Sequence, residues 1–207
     1  MVLKHNQITT VWLALFSIPW LIGDKETTPM QPNRMLASLL DAMIAFDAPD
    51  ARRIAHLVKV HGYAQAIGLL EGLDEKTQFI LEAAAIVHDI GIKICEAKYE
   101  GKSSGDLQEK EGPPEARKML KHLGFEEEVI QRVEYLVGHH HTYSNIQGQD
   151  YQILVESDFL VNLQEKSVPR ESIQNTMNTI FKTRTGKRFC TEMFGLNLYT
   201  YQEFGFI

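Results

Sequence analysis

Apolar side chains recur at helical spacing along most of this chain, and that periodicity constrains its fold more than any other feature. Over residues 35–46, apolar side chains fall at positions i, i+3, i+4, i+7 and i+8 and so share one face of a helix. No stretch alternates apolar and polar residues with a period of two, as a half-buried strand would. The sequence therefore predicts an all-α fold, a helical bundle. Further helical patterns occupy residues 50–70, 75–87, 113–124, 126–138, 151–162 and 169–181.

Polar residues, glycines and prolines mark where these helices begin and end. Asp50 and Asp74 each precede a helical pattern and are predicted to cap it. Residues 96–112, rich in Gly, Ser, Lys and Glu, are predicted to be an irregular loop. The two prolines that begin at Pro113 are predicted to open the next helix. The last clear helix is predicted to end at the Thr-Gly pair that finishes at Gly186.

The chain divides into three parts by composition. Residues 1–34 hold a short apolar run, residues 11–23, which Pro19 interrupts and which is too short to span a bilayer. No small-x-small cleavage site follows, so we expect an extension, either a non-native start or a surface helix, with a targeting segment as the alternative. Residues 35–188 form the predicted domain. Residues 189–207 are predicted to be a C-terminal segment packed on that domain.

Charge and cysteine content narrow the class of protein. The 207 residues carry a formal net charge of -6 and contain no basic run that would follow a phosphate backbone, so we expect no nucleic-acid partner. We also expect no membrane partner. The two cysteines, Cys95 and Cys190, lie far apart without a CxxC pair, which favours a reducing cytoplasm over a disulfide framework.

His88 and Asp89 stand side by side where the apolar helical run 75–87 ends, just before Gly91, which can terminate a helix. Adjacent helical residues point about 100° apart, so a simple cap or ion pair would not need both. Imidazole nitrogen and carboxylate oxygen are each good ligands for a divalent metal ion. A single ion at the helix end could bind both side chains.

Two more polar residues lie inside apolar helical patterns, where an unpaired charge or polar ring would cost several kcal/mol. They are His56 and Asp158. A metal shared by His56, His88, Asp89 and Asp158 would remove that cost. Two imidazoles and two carboxylates leave one or two coordination positions for water, as catalytic sites do.

The order of these residues resembles that of the HD-domain superfamily of metal-dependent phosphohydrolases. The matching segments are residues 53–60 (RIAHLVKV), 83–91 (AAAIVHDIG) and 154–160 (LVESDFL). The similarity covers roughly residues 35–165, and the following tail resembles a small bacterial subgroup. The resemblance implies a compact HD-type helical bundle that holds an ion between its helices. The metal ligands that it implies are His56, His88, Asp89 and Asp158.

The resemblance also implies a mechanism. A divalent ion, whether Fe, Mn, Ni, Zn, Co or Mg, would activate water for attack on a phosphate ester. Asp89 is predicted to orient or deprotonate that water. Lys93 is a candidate phosphate contact, with a solvated lysine as the alternative, because Ile92 stands where many family members have their lysine.

Some family members bind a second ion through additional histidines. His139 and His140 occupy the place of the later histidine, while Glu111 stands where the earlier one is expected. These three residues are candidates for a second metal or for substrate, and we expect one firmly bound ion. His141 and His122 are predicted to lie on the surface.

Three functions follow as hypotheses. The first is hydrolysis of a phosphate ester of a small molecule, with a nucleotide as the expected substrate. The second is oxygenation by a di-iron centre, which would need the second metal site. The third is a non-catalytic regulator that keeps the ion for structure or ligand sensing. Tyr143, shortly after the histidines, is a candidate to stack on or hydrogen-bond a ligand, or simply to pack.

Overall fold

The computed structural model describes residues 31–196, and every regular element in that range is an α-helix. The prediction of an all-α fold is confirmed. The helices are α1 (Pro32–Asp47), α2 (Ala51–Glu71), α3 (Glu75–Val87), α4 (Gly91–Lys98), α5 (Gly105–His122), α6 (Glu127–Val137), α7 (Gln149–Glu165), α8 (Arg170–Ile180) and α9 (Arg184–Phe194).

Helix α3 is the centre of the bundle. It packs against α1, α2, α6 and α7, and residues 80–88 are all buried. Three consecutive alanines, residues 83–85, let the neighbouring helices approach closely because they add little volume. A helix that is apolar on every face has to lie inside a protein. This burial brings the end of α3, and with it His88, into the middle of the fold.

The predicted caps set the register of α2 and α3. The Asp50 side chain accepts a hydrogen bond from the Arg53 backbone N–H (3.0 Å). Asp74 accepts from the N–H groups of Lys76 and Thr77 (3.1 and 3.0 Å). Gly72 ends α2 with a φ of +76°, a left-handed conformation that glycine adopts without strain.

The predicted loop over residues 96–112 is wrong, because the last three residues of α4 and the first eight residues of α5 lie there. Helix α5 runs through Pro113 instead of beginning at it. The two prolines leave the carbonyls of Glu109 and Lys110 without their helical N–H donors. Packing of α5 against α4 and α6 holds the helix in spite of that loss.

Helices α4 and α5 cross with their backbones in close approach. A Cβ atom at Gly91 would lie 2.9 Å from the Gln108 carbonyl oxygen and 3.0 Å from the Gly112 backbone nitrogen. A Cβ atom at Gly112 would lie 2.8 Å from Val137. Glycine is therefore required at this crossing, which brings Gln108 next to the turn that carries Asp89.

The predicted helix end at Gly186 is also wrong, because Gly186 lies in the first turn of α9. The buried carboxyl group of Glu156 organises this turn. It accepts hydrogen bonds from the backbone N–H groups of Lys182 (2.6 Å) and Thr183 (2.9 Å), and the Thr183 hydroxyl also donates to it. A Cβ atom at Gly186 would lie 1.9 Å from Glu156 Oε2. The Thr-Gly pair therefore makes room for the Glu156 carboxyl group and does not end a helix.

The predicted domain limits stay predictions, and two helices cross them. Helix α1 begins at Pro32 and crosses the limit after residue 34, and α9 crosses the limit after residue 188. The expectations for residues 1–30 and 197–207 lie outside the described residues. In the range 31–196, none of the helices has the length and apolar character needed to cross a membrane.

Candidate metal centre

Four side chains from separate parts of the chain meet at the end of α3. His56 comes from α2, His88 ends α3, Asp89 follows it, and Asp158 comes from α7. His56 Nε2 lies 3.2 Å from Asp158 Oδ1 and 3.6 Å from Asp89 Oδ2. His88 Nε2 lies 3.5 Å from Asp89 Oδ2 and 3.7 Å from Asp158 Oδ1. The structure thus brings together all four residues that the sequence predicts as ligands.

These separations suit one metal ion. Two donor atoms that each lie about 2.1 Å from an ion, at angles between 90° and 109°, are about 3.0–3.4 Å apart. The observed distances of 3.2 to 3.7 Å are close to that range. A set of two nitrogens and two oxygens suits Mn, Fe, Co, Ni or Zn. The donor group therefore fits the divalent ion that the sequence predicts.

The orientation of the rings gives a second reason to place a cation here. His88 Nδ1 donates to the Ala85 carbonyl (2.9 Å), and His140 Nδ1 donates to the Val137 carbonyl (2.8 Å). In the neutral form that binds a metal, each ring then has its Nε2 lone pair directed into the cluster. Both Nε2 atoms are buried and lack a hydrogen-bond partner among the described residues. A bound cation would satisfy them.

The charges of the cluster are strongly coupled. Burial alone would lower the pKa of His88, but Asp89 and Asp158 raise this pKa to about 9. Burial disfavours the ionised form of Asp89, yet His88 and His140 hold the pKa of that carboxyl well below its ordinary value. The pKa of Asp158 is lowered in the same way, by His56 and His88 against the effect of burial. Both carboxylates are therefore ionised at neutral pH.

Asp89 also faces a second group of donors. Its Oδ1 lies 3.4 Å from His140 Nε2, while its Oδ2 faces His56 and His88. Ligand atoms of Asp89, His140 and His141 all lie within 4.8 Å of one another. The prediction that His140 belongs to the site is supported by its position. Asp89 is shared by the two groups.

Two other candidates for this second group are placed elsewhere. The His139 ring stacks on Tyr135, with centroids 4.3 Å apart, and its Nδ1 lies 2.7 Å from the Tyr135 carbonyl. The Glu111 carboxylate accepts from the Tyr99 hydroxyl (2.7 Å) and from Lys98. Neither His139 nor Glu111 is brought into the cluster. Glu111 lies one turn after Gln108, and it is Gln108 that faces the site.

The prediction that His141 lies on the surface is wrong. Its ring is partly buried, and its Nε2 lies 3.1 Å from Gln108 Oε1. Burial and the neighbouring His140 lower the pKa of His141 to about 4, so the ring is neutral at pH 7 and can act as a ligand. His122 is exposed, as predicted.

Lys93 is not brought to the cluster either. Its ammonium group donates to the Phe46 carbonyl at the end of α1 and lies 5.3 Å from the centre of the Phe46 ring. The inserted residue Ile92 shifts this lysine along α4, so that it faces α1. Lys93 therefore holds α4 against α1 and is not in position to contact a phosphate at the metal centre.

Glu165 is a site residue that sequence reasoning missed. Its Oε2 accepts from His56 Nδ1 (3.2 Å), and its Oε1 accepts from Lys59 (2.5 Å). His56 and Lys59 lower the pKa of Glu165 in spite of partial burial. A carboxylate on Nδ1–H fixes the tautomer that leaves Nε2 free for a metal. Glu165 lies seven residues after Asp158, and that spacing along one helical face could have indicated it.

Replacing Glu165 with glutamine is expected to weaken metal binding about 10- to 100-fold, the usual cost of losing such a partner. The affinity would be measured by competition with a chelator. The exposed neighbour Gln164 provides the matched control, since Gln164→Ala should bind metal as the unmodified protein does. Equal affinities for the two variants would contradict this role of Glu165.

Comparison with protein-family models assigns the chain to a family. The chain is an all-helical protein whose buried His and Asp donors can hold a metal ion. The HD domain family model matches residues 53–174, which is more than half of the 207 residues. The chain therefore belongs to the HD-domain family, a superfamily of metal-dependent hydrolases. No curated protein and no solved structure matches the chain.

Proposed function

We propose that this protein hydrolyses a phosphate ester of a small molecule, using one divalent ion held by His56, His88, Asp89 and Asp158. The observation that carries the proposal is the buried Nε2 atom of His88, which has no hydrogen-bond partner in the described part of the chain and faces two carboxylates. A cavity of about 290 Å³ opens beside the cluster, and both carboxylates line it. A substrate could therefore reach the donors.

The side chains of the site have distinct roles in this proposal. An ion held by the four ligands supplies a nucleophilic water near neutral pH and neutralises phosphate charge. Asp89 lines the cavity. Its lowered pKa makes it a weak base, so its role is to accept a hydrogen bond from water and orient that water. Asn162 donates to Asp158 Oδ1 (2.7 Å) and fixes that carboxylate.

Turnover of a panel of substrates tests the proposal directly. The purified protein would be incubated with phosphomonoesters, nucleotides and cyclic dinucleotides, each with Mn, Fe, Ni or Zn. We expect release of phosphate, or of a monoester from a diester, with at least one metal. A chain that binds metal but hydrolyses none of these esters with any metal would contradict the proposed function.

Metal binding is expected to release about one proton between pH 6 and pH 8. The reason is that a His88 with a pKa of about 9 is protonated in the metal-free protein and has to be neutral to bind the ion. Affinity for Mn²⁺ should therefore rise about tenfold per pH unit in this range and level off above pH 9. Calorimetric titrations in two buffers with different ionisation enthalpies would count the protons. An affinity independent of pH would refute the expectation.

We place the protein in the cytoplasm and expect a small phosphorylated substrate as its partner. The net charge of -6 and the absence of a basic run in the sequence favour a partner other than nucleic acid. Cys95 and Cys190 are both buried and unpaired, which suits a reducing compartment. Fractionation of cells that express the intact chain would test the location.

A second candidate function is oxygenation by a di-iron centre. The observation that favours it is the position of Asp89, whose two oxygens face separate donor groups, with His140 and His141 in the second. Two irons per chain, an optical mixed-valence signal and oxygen consumption would support this function. Metal content of one ion per chain without oxygen consumption would exclude it.

A further inference from the structure

The cavity beside the metal ligands has chemically different walls. One wall carries Asp89 and Asp158, and another carries the aromatic rings of Tyr143 and Phe159. Lys166, which follows the last residue of α7, also lines the cavity. A ligand that fills this space would meet a metal ion, a cation and an aromatic surface together.

Lys166 is a positively charged side chain without a partner in the described part of the chain. Its ammonium group has no carboxylate within 4.0 Å and no hydrogen-bond acceptor among residues 31–196. The other two lysines considered for the site are both engaged, Lys59 with Glu165 and Lys93 with the Phe46 carbonyl. His141, also in the lining, is engaged with Gln108, whose Oε1 lies 3.1 Å from the His141 Nε2 atom. Lys166 is therefore the side chain in the lining that can offer a positive charge to an anion.

Tyr143 and Phe159 form an aromatic pair in the same lining. Their ring centroids are 5.1 Å apart, and their planes meet at 64°. Tyr143 is 44% exposed, which is high for an aromatic ring. Aromatic rings pair favourably with other flat rings in edge-to-face or offset arrangements. The exposed Tyr143 ring can receive a flat group of a ligand.

The size of the cavity limits what it can hold. Its volume of about 290 Å³ lies at the lower end of the range of about 300–1,000 Å³ for small-molecule pockets. That space suits one phosphate group and one ring system more than a chain of nucleotides. The walls and the volume thus point to the same kind of ligand.

We infer that the substrate is a phosphate monoester that carries a single flat ring system, with Lys166 contacting the phosphate and Tyr143 contacting the ring. This inference rests on the proposed function for the reaction, but it assigns Lys166 and Tyr143 to substrate recognition. In this assignment Lys166 replaces Lys93 as the phosphate contact. Both residues contact the substrate equally in the ground state and in the transition state. Neither takes part in bond cleavage.

Binding of non-hydrolysable phosphonates to the metal-loaded full chain would test the inference. Phenylphosphonate, cyclohexylphosphonate and methylphosphonate share one anionic group and differ in the attached group. Phenylphosphonate is expected to bind about five- to tenfold more tightly than cyclohexylphosphonate, by calorimetry, because only its ring is aromatic. Equal affinities for these two ligands would overturn the role of the aromatic surface.

Two variants separate the two contacts. Lys166→Gln is expected to weaken the binding of all three phosphonates about tenfold, because each ligand loses the same charged hydrogen bond. Tyr143→Ala should remove the preference for phenylphosphonate and leave methylphosphonate unchanged. The matched control is Lys118→Gln, which changes an exposed lysine on α5 and should bind all three as the unmodified protein does. Unchanged binding by Lys166→Gln would refute the assignment of Lys166.

Turnover of phenyl phosphate distinguishes failure of this inference from failure of the proposed function. Phosphonates that bind as expected, without hydrolysis of any ester, would support the recognition site and refute the phosphohydrolase. Hydrolysis without the expected phosphonate preferences would support the phosphohydrolase and refute the recognition site. For Lys166→Gln, a raised KM with an unchanged kcat is the expected kinetic result.

Discussion

Asp158→Ala is expected to lose its bound metal and its turnover together, each by more than about 100-fold. Loss of an outer partner of a ligand already costs about 10- to 100-fold in metal affinity, so loss of the ligand itself should cost more. The substitution also removes the carboxylate that lies 3.2 Å from His56 and 3.7 Å from His88. Metal content by elemental analysis and hydrolysis of the best ester would be measured on the same preparation.

Two further variants make this result specific. Asp158→Asn keeps the shape and one donor oxygen, so we expect it to fold and to bind metal more weakly than the unmodified chain. Asp41→Ala, which removes an exposed carboxylate from α1, should keep both metal and turnover. A folded Asp158→Ala variant with full metal content and full activity would remove Asp158 from the site and contradict the proposed function.

Glu156→Ala is expected to cause the largest loss of stability, about 3–5 kcal/mol in the free energy of unfolding, because each buried donor left without an acceptor costs about 1–3 kcal/mol. The side chain is fully buried and accepts from Thr183, Lys182 and Gln152. Its removal leaves these donors without an acceptor inside the protein. For a chain of this length the midpoint of thermal unfolding should fall by roughly 10 °C.

The control for this prediction is a glutamate at the surface. Glu115 on α5 pairs with Lys118 at 2.8 Å in an exposed setting, and such pairs contribute at most about 1 kcal/mol. Glu115→Ala should therefore melt within a few degrees of the unmodified chain. Thermal unfolding followed by circular dichroism would compare the variants. Equal midpoints for Glu156→Ala and Glu115→Ala would show that the buried contacts around α9 do not stabilise the fold.

The four residues at the metal centre could be predicted because each stands in a recognisable local pattern. His56 and Asp158 are polar residues within apolar helical faces, and His88-Asp89 follows the apolar run 83–87 at the end of a helix. A burial cost is readable from such patterns, and a shared ion is the simplest way to remove it. The helices that carry these residues have clear caps and periodicity, so their positions were predictable as well.

The roles of the residues around the four metal ligands could not be predicted in the same way. Glu111, His139 and Gln108 are all polar residues near the site in sequence, and only the crossing of α4 and α5 decides that Gln108 faces it. The contacts of Lys93 with Phe46 and of Glu165 with His56 join residues 47 and 109 positions apart. No local pattern encodes the contact of Lys93. The seven-residue spacing between Asp158 and Glu165 indicates only that they share a helical face, because the contact with His56 depends on how the helices pack.

The first half of α5 was not predicted for a related reason. Its glycines and two prolines are typical of loops, and local propensity alone would break the helix there. Packing against two neighbouring helices overrides that propensity. Tertiary contacts also explain the error at Gly186, where a glycine that resembles a helix end instead makes room for Glu156.

The crossing of Gly91 and Gly112 has a consequence for how the cavity beside the metal centre could change. Because the two backbones already touch, their spacing cannot shrink, and any added side chain would force them apart. The position of the cavity wall formed by Ile92 and Gln108 is therefore fixed. If the proposed recognition role holds, specificity would be easier to change from the opposite side, because Tyr143 and Lys166 are both exposed.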